Sequence, residues 1–265
     1  MPKPLLLLGA GRMGGALLEG WRMTRAFADG DLLICDPHPS AEALAAAERG
    51  AALNPSDPAL AEAETVLLAV KPQVWREAAA VYAPLLAPDA VIVSILVGVR
   101  AADIAAGFGG RRVARVMPTT GVLIAKGVAS IVANDAEAGR RAHALFDPVA
   151  TTVDLASEDL MDAASAVSGS APAFVYAFVE ALEAAGVAHG LPEAETRALV
   201  RATLSSAAAL LDASGEEPAE LRRQVTSPGG TTQAALKVLT GERGFGPLMN
   251  EAVTAAIARA RELAG

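Results

Sequence analysis

A glycine-rich segment near the start of the chain is the first feature whose residue types indicate chemistry. It follows a run of four leucines and precedes a helical pattern, Gly15–Gly20. In a strand, turn and helix of this kind, the first glycine allows a tight turn, the second lets the backbone approach a pyrophosphate, and the third permits close contact between helix and strand. We therefore expect a dinucleotide to bind here rather than a glycine-rich turn without function. The residues concerned are Gly9, Ala10, Gly11, Arg12, Met13 and Gly14.

An acidic residue closes the second apolar run of the chain. Asp36 stands where a carboxylate typically accepts hydrogen bonds from the adenosine ribose, which favours NADH. Arg12 would suit the 2′-phosphate of NADPH, and Asp36 would equally cap an ordinary turn in Asp36-Pro37-His38-Pro39. The expected cofactor is NAD(P)H, and the choice between the two forms stays open.

Two further segments stand where apolar runs end. The carboxyl ends of parallel strands meet at one edge of a sheet, which is where doubly wound folds bind their ligands. We expect both segments to contribute to the cofactor site, although Lys71 also fits a solvated surface lysine. They consist of Ala69, Val70, Lys71 and Pro72, and of Met117 and Pro118.

The segment from Ser227 to Thr232 predicts a second anion site. Pro228 fixes a turn, Gly229 and Gly230 leave backbone N–H groups uncovered, and a helical pattern begins at Thr231. Together these features favour a nest for an anion at a helix N-terminus, suited to a substrate carboxylate. A plain helix cap is the alternative, in which the Ser227 or Thr232 hydroxyl only serves the backbone.

A third polar segment interrupts a long apolar stretch. Ser168-Gly169-Ser170-Ala171-Pro172 is expected to break one helix into two, either because a ligand approaches the backbone at Ser170 or merely because Pro172 kinks the helix.

These segments lie on two kinds of element. Up to about residue 153, short apolar runs alternate with helical patterns, which predicts an α/β Rossmann domain with a doubly wound, mostly parallel sheet. Beyond that point β-branched runs vanish and an all-α domain is expected. We place the dinucleotide-binding domain at 1–155 and the helical substrate-binding and dimerisation domain at 156–265. The predicted strands are Leu5–Leu8, Leu32–Cys35, Thr65–Ala69, Val91–Ile95, Arg112–Met117 and Val128–Ala133; the predicted helices of the second domain are Asp159–Val167, Pro172–Gly186, Pro192–Ala213, Pro218–Val225, Thr231–Leu239 and Pro247–Leu263.

Composition narrows the class of protein. The net charge of −8, with no basic cluster, argues against nucleic acid and anionic membranes as partners. The single cysteine, Cys35, excludes an internal disulfide and a cysteine-based metal site, so we expect a cytoplasmic protein without a metal. No segment reads as a span of roughly 20 apolar residues. The helical half is apolar on most faces, which predicts a homodimer or higher homo-oligomer built through its helices.

Taken together, these segments resemble the pyrroline-5-carboxylate reductases, the family of the last step of proline biosynthesis. The resemblance spans nearly the whole chain and is most specific in Val225–Thr232. It implies reduction of 1-pyrroline-5-carboxylate to L-proline, with Thr232 contacting the imine nitrogen and Ser227 beside it. It also implies that the substrate is held by Ser170, Ser227, Gly229, Gly230, Thr231 and Thr232.

The chain departs from the family pattern near the expected pocket, at Thr119, Gly121, Ala171 and Phe174 and in the segment Leu96-Val97-Gly98. A reductase of another small cyclic imine acid and a non-catalytic dinucleotide-sensing module are therefore the alternatives. A β-hydroxyacid dehydrogenase is disfavoured. Members of that group resemble one another in having a catalytic lysine on the first long helix of the second domain. The segment from Asp159 to Gly190 contains no lysine.

Overall fold

The computed structural model describes residues 4–264, and within them the first part of the chain forms one twisted eight-stranded sheet. Its order is β3-β2-β1-β4-β5-β6-β7-β8; neighbouring strands are parallel except β6 and β7, which are antiparallel. The strands are β1 (Leu5–Leu8), β2 (Leu32–Cys35), β3 (Ala52–Leu53), β4 (Thr65–Leu68), β5 (Val91–Ser94), β6 (Val113–Pro118), β7 (Gly127–Ala133) and β8 (Ala150–Asp154).

Helices cover both faces of this sheet, and the four leucines of β1 show why. Leu5 and Leu7 belong to one buried cluster with Trp21 of α1, whereas Leu6 and Leu8 belong to another with Phe108. Successive side chains of a strand point to opposite faces, so a strand that is apolar at every position needs cover on both sides. The covering helices are α1 (Arg12–Thr24), α2 (Ala41–Glu48), α3 (Asp57–Leu60), α4 (Trp75–Tyr82), α5 (Ala101–Gly107) and α6 (Ala136–Phe146).

The predicted fold class is confirmed, and all six predicted strands are present within one or two residues of their expected ends. Two strands were not predicted. β3 is only two residues long, and β8 reads Ala-Thr-Thr-Val-Asp, an edge strand with polar and exposed positions rather than an apolar run.

The second part of the chain is helical, as expected. Its elements are α7 (Met161–Ala164), α8 (Ala171–Ala188), α9 (Glu193–Ser214), α10 (Pro218–Gln224), α11 (Thr231–Leu239) and α12 (Phe245–Ala264). The predicted break around Ser168 is wrong in kind: Ser165–Gly169 is a π-helical turn, and Ser170 keeps helical dihedral angles before α8 begins. A π-helical turn accommodates one extra residue without ending the helix, and such turns are frequent at functional sites.

Two compact units result. The sheet unit comprises the chain up to Gly169 together with the chain from Ile257, and the helical unit is Ser170–Ala256.

One helical stretch, Glu158–Ala188, is long and apolar enough to cross a membrane by length and composition, with a mean hydropathy of 1.4. The sequence had not led us to expect such a segment. Helices from the cores of water-soluble proteins meet the same test.

Candidate functional site

In the sheet unit, the glycine-rich loop is shaped by contacts that admit no side chain. Gly9 has φ +94°, and a Cβ there would lie 2.7 Å from the carbonyl oxygen of Ala69. A Cβ on Gly14 would collide with the carbonyl oxygen of Gly9. The tight turn and the close approach of helix to strand are thus both features of the structure.

Gly11, by contrast, faces open space. A Cβ built on Gly11 meets nothing within 4 Å. Gly11 is the N-cap of α1, and no side chain of residues 4–264 caps this helix end, so its first N–H groups are open to a ligand. An uncapped helix N-terminus beside a cradle that a methyl group would fill is the arrangement that a pyrophosphate requires.

The loop lies at the switch point of the sheet, where β1 has β2 on one side and β4 on the other. The Gly9 N–H donates to the Cys35 carbonyl at 2.9 Å, and the Ala69 N–H donates to the Leu8 carbonyl at 2.7 Å. Val70 also abuts Gly9. The crevice at such a point is where doubly wound sheets bind their ligands.

The other predicted cofactor residues lie farther from this loop. Lys71 is exposed at the start of a short 3₁₀ turn that begins with Pro72. Met117 and Pro118 end β6, and β5 separates this strand from β4. Met117 is buried in a small cluster with Val132 and Met161.

Asp36 has two structural contacts in this loop. Its Oδ2 accepts from the Ala10 N–H at 2.6 Å, and its Oδ1 accepts from the His38 N–H at 2.7 Å. The turn-capping alternative is thus realised, yet each carboxylate oxygen has a second lone pair for a ligand.

In the helical unit, the Ser227–Thr232 segment leads into α11. Gly229 has φ +73°, and the Gly230 N–H turns back to the Ser227 carbonyl at 3.0 Å. Gly230 is the N-cap of α11, and within the described part of the chain this helix has no side-chain cap, so the N–H groups at Thr231 and Thr232 lie at an open helix end. That is the kind of site predicted for a carboxylate.

The hydroxyls of this segment do not support the capping alternative. Ser227, Thr231 and Thr232 are exposed, and among the described residues none of their side chains caps α11. Ser170 occupies the N-cap position of α8, half-buried and likewise without a side-chain cap bond.

Gln233 is the residue of this segment that the sequence analysis missed. Its Oε1 accepts from the Gly229 N–H at 2.8 Å, and the Gly230 N–H is bonded to the Ser227 carbonyl. The prediction that both glycine N–H groups are uncovered is therefore wrong. A glutamine at the third helical position is the signal that the sequence offered, although Gln233 bonds the N–H before the N-cap, whereas a capping box would bond that of the N-cap, Gly230.

His143, one of three histidines, is engaged elsewhere in the sheet unit. Its Nδ1 lies 3.0 Å from Asp147 Oδ1, and its Nε2 lies 3.1 Å from Asp154 Oδ1. The pKa of His143 is raised above its ordinary value, chiefly by the hydrogen bond to Asp147 and further by the hydrogen bond to Asp154. This pairing ties α6 to β8.

Known protein families match both parts of the chain. Residues 158–263 match the model for pyrroline-5-carboxylate reductase dimerisation, and residues 5–98 match the model for NADP oxidoreductase, coenzyme F420-dependent.

Relatives extend the match over the whole chain. Pyrroline-5-carboxylate reductase of Pseudomonas aeruginosa is 36% identical, with 98% of this chain and 96% of the relative covered. A solved pyrroline-5-carboxylate reductase from Coxiella burnetii is 27% identical with a TM-score of 0.90, covering 99% of each chain. The Plasmodium falciparum pyrroline carboxylate reductase, solved with NADP bound, is 25% identical with a TM-score of 0.84, covering 99% of this chain and 98% of that one.

Gly11 and Gly14 are expected to respond differently to the same substitution. Gly11→Ala should leave thermal stability unchanged or slightly raised, because its methyl group meets no atom and restricts the unfolded chain. It should weaken binding of ADP-ribose at least about tenfold, because the methyl group fills the pyrophosphate cradle. Gly14→Ala should cost about 1–3 kcal/mol of stability by forcing helix and loop apart.

Thermal unfolding and calorimetric titration with ADP-ribose measure both effects. If Gly11→Ala bound ADP-ribose as tightly as the unsubstituted protein, the loop would not be the pyrophosphate site.

Proposed function

The chain belongs to the pyrroline-5-carboxylate reductase family and is an NAD(P)H-dependent oxidoreductase of proline biosynthesis; from this premise we propose which of its residues carry the reduction of 1-pyrroline-5-carboxylate to L-proline. The observation that carries the proposal is the presence of two open helix N-termini, one at each predicted anion site. The one at Gly11 suits a pyrophosphate, and the one at Gly230 suits a carboxylate.

The sheet unit holds the hydride carrier. Gly9, Gly11 and Gly14 shape the loop, and the N–H groups at the start of α1 bind the pyrophosphate. When bound, NAD(P)H supplies a hydride. The remaining proposed cofactor contacts follow the sequence prediction: Ala10, Arg12, Met13, Asp36, Ala69, Val70, Lys71, Pro72, Met117 and Pro118.

The helical unit holds the substrate carboxylate. The backbone N–H groups of Thr231 and Thr232, at the positive end of the α11 dipole, donate to the carboxylate oxygens. Gly229 and Gly230 keep side chains away from the anion. Ser227 and Ser170 complete the proposed set of substrate contacts.

The chemistry of an imine explains why so few titratable groups are needed. Reduction of a ketone requires an acid to protonate the developing alkoxide. In a protonated imine, the nitrogen already carries its proton, so the hydride adds to carbon while the C=N π electrons become the nitrogen lone pair. The protein therefore has mainly to orient the ring and hold the carboxylate, with the Thr232 hydroxyl placed at the nitrogen.

One assay separates this proposal from its alternatives. NADH and NADPH oxidation is followed with 1-pyrroline-5-carboxylate, with a six-membered cyclic imine acid and with a 3-oxo acid. We expect the five-membered imine to give the highest kcat/KM. A higher value for the six-membered ring would establish a different imine reductase, and oxidation with none of the three would favour a dinucleotide sensor.

Replacing Thr232 tests its proposed contact with the imine nitrogen. Thr232→Val should lower kcat/KM at least about tenfold, or roughly 1.4 kcal/mol of transition-state stabilisation. Thr232→Ser, which retains the hydroxyl, should stay close to the unsubstituted enzyme. Thr240→Val is the matched control, because Thr240 lies at the other end of α11 and bonds only the Leu236 carbonyl within the described residues. Unchanged kinetics in Thr232→Val would remove Thr232 from the mechanism.

We further propose a homodimer or higher oligomer formed through the helices of the second part of the chain. α8 has no buried residue, and it exposes large apolar side chains such as Tyr176, Phe178 and Leu182. Apolar surface of this extent is typical of an interface. The partner set comprises this second copy and the small carboxylated imine, with neither nucleic acid nor membrane. A cytoplasmic location fits a chain whose single cysteine, Cys35, forms no disulfide. Burial raises the pKa of its thiol.

Self-association should depend on the apolar face of α8. Leu182→Arg should convert the oligomer to monomer in light scattering coupled to size exclusion, because it places a charge within that face. Val81→Arg is the control, since Val81 is an exposed aliphatic residue of the sheet unit. A monomeric unsubstituted protein, or a Leu182→Arg protein that remained oligomeric, would contradict the proposed interface.

A further inference from the structure

The carboxylate of Asp36 is held in one orientation at the end of β2. Its two oxygens accept from the backbone N–H groups of Ala10 and His38, at 2.6 and 2.7 Å. Rotating the carboxylate away from the glycine-rich loop would break both bonds. The negative charge is therefore a fixed part of the loop wall.

The backbone of Asp36 is fixed as well. Asn54, in a left-handed conformation at φ +47°, accepts from the Asp36 N–H at 3.0 Å and donates through Nδ2 to the Asp36 carbonyl at 3.0 Å. Hydrogen bonds thus hold both the side chain and the main chain of Asp36, and the residue is half-buried.

The residues around Asp36 offer little positive charge that would bind a phosphate. The chain that follows it, up to the end of α2, contains no lysine or arginine and places the Glu42 carboxylate next to Gly15 of α1. Arg49, just beyond α2, is paired with Asp29. Ser40 already caps α2 with its hydroxyl. Arg12 is a cation of the same loop, exposed at the first position of α1.

We propose that this chain selects NADH over NADPH and that Asp36 is the residue that determines this specificity. The inference rests on the proposed function, in which the loop binds the nicotinamide dinucleotide. The free lone pairs of an ionised carboxylate accept hydrogen bonds from ribose hydroxyls, whereas a 2′-phosphate meets a like charge. A mobile carboxylate would turn aside for the phosphate, but Asp36 would first have to lose its bonds to Ala10 and His38.

Binding of two probes tests the proposal without any substrate: ADP-ribose and 2′-phospho-ADP-ribose, titrated by calorimetry. The unsubstituted protein should bind ADP-ribose at least about tenfold more tightly. Asp36→Ser should reduce this ratio at least about tenfold. Both probes use the same glycine-rich loop, so loop damage alone would weaken both and leave the ratio unchanged.

Asp89→Ser is the matched control, because Asp89 is an exposed carboxylate that precedes β5, at the edge of the sheet opposite the glycine-rich loop. Its ratio should stay within about twofold of the unsubstituted protein. Arg12→Gln tests the competing assignment, since Arg12 is itself a proposed cofactor contact. A ratio near one or favouring the phosphorylated probe in the unsubstituted protein would overturn the proposal, as would an unchanged ratio in Asp36→Ser. A ratio that rose about tenfold in Arg12→Gln would show that Arg12 binds the phosphate and would overturn the assignment to Asp36.

The two proposals fail in different ways. A chain that discriminates between the probes but reduces no imine would contradict only the proposed reaction. A chain that reduces 1-pyrroline-5-carboxylate without discriminating between the probes would contradict only the assignment of Asp36.

Discussion

The close contact between backbone atoms where β1 passes into α1 is the constraint on which the glycine-rich loop depends. The strand ends around this loop are arranged about that contact. Gly14 lies against the Gly9 carbonyl, and Gly9 lies against Ala69 of the neighbouring strand end, each too close for a Cβ. The first turn of α1 can therefore sit directly over the crevice between β1 and β4. The Asp36 bond to Ala10 ties the third strand end, that of β2, to the same loop.

A second anchor of the sheet unit is a buried ion pair on β6. Arg115 of β6 donates to Glu158 at 2.8 Å, and both side chains are largely buried. Glu158 also accepts from the Ala101 N–H at 2.7 Å, at the start of α5. An unpaired arginine at this depth would be strongly destabilising, so the carboxylate has to remain in place. The segment leading into α7 is held to the middle of β6 as a consequence.

The sequence predicts those parts of the molecule in which local pattern and burial agree. β1, β2 and α11 have their predicted bounds because leucine runs or helical spacing continue up to a clear turn signal. β8 was not foreseen because pairing with β7, rather than an apolar pattern, makes Ala150–Asp154 a strand. Arg115 and Glu158 lie 43 residues apart, and only the fold brings such a pair together. The π-helical turn was misread because serine and glycine also end helices, and nothing local distinguishes the two outcomes.

The departures from the family pattern take on different meanings once their contacts are known. Thr119 is buried, and its hydroxyl accepts from the Val128 N–H at 3.0 Å, across the β6–β7 connection. Gly121 lies where a Cβ would be 2.6 Å from the Lys126 carbonyl oxygen. These two residues thus belong to one compact turn. Their two differences from the family pattern are explained by a different structure of the β6–β7 connection rather than by two altered ligand contacts. Ala171 and Phe174, half-buried in the first turn of α8 next to Ser170, are the departures that adjoin a proposed substrate residue. If substrate choice differs from that of the family, we therefore expect the residues responsible to lie at the start of α8 rather than at the end of β6.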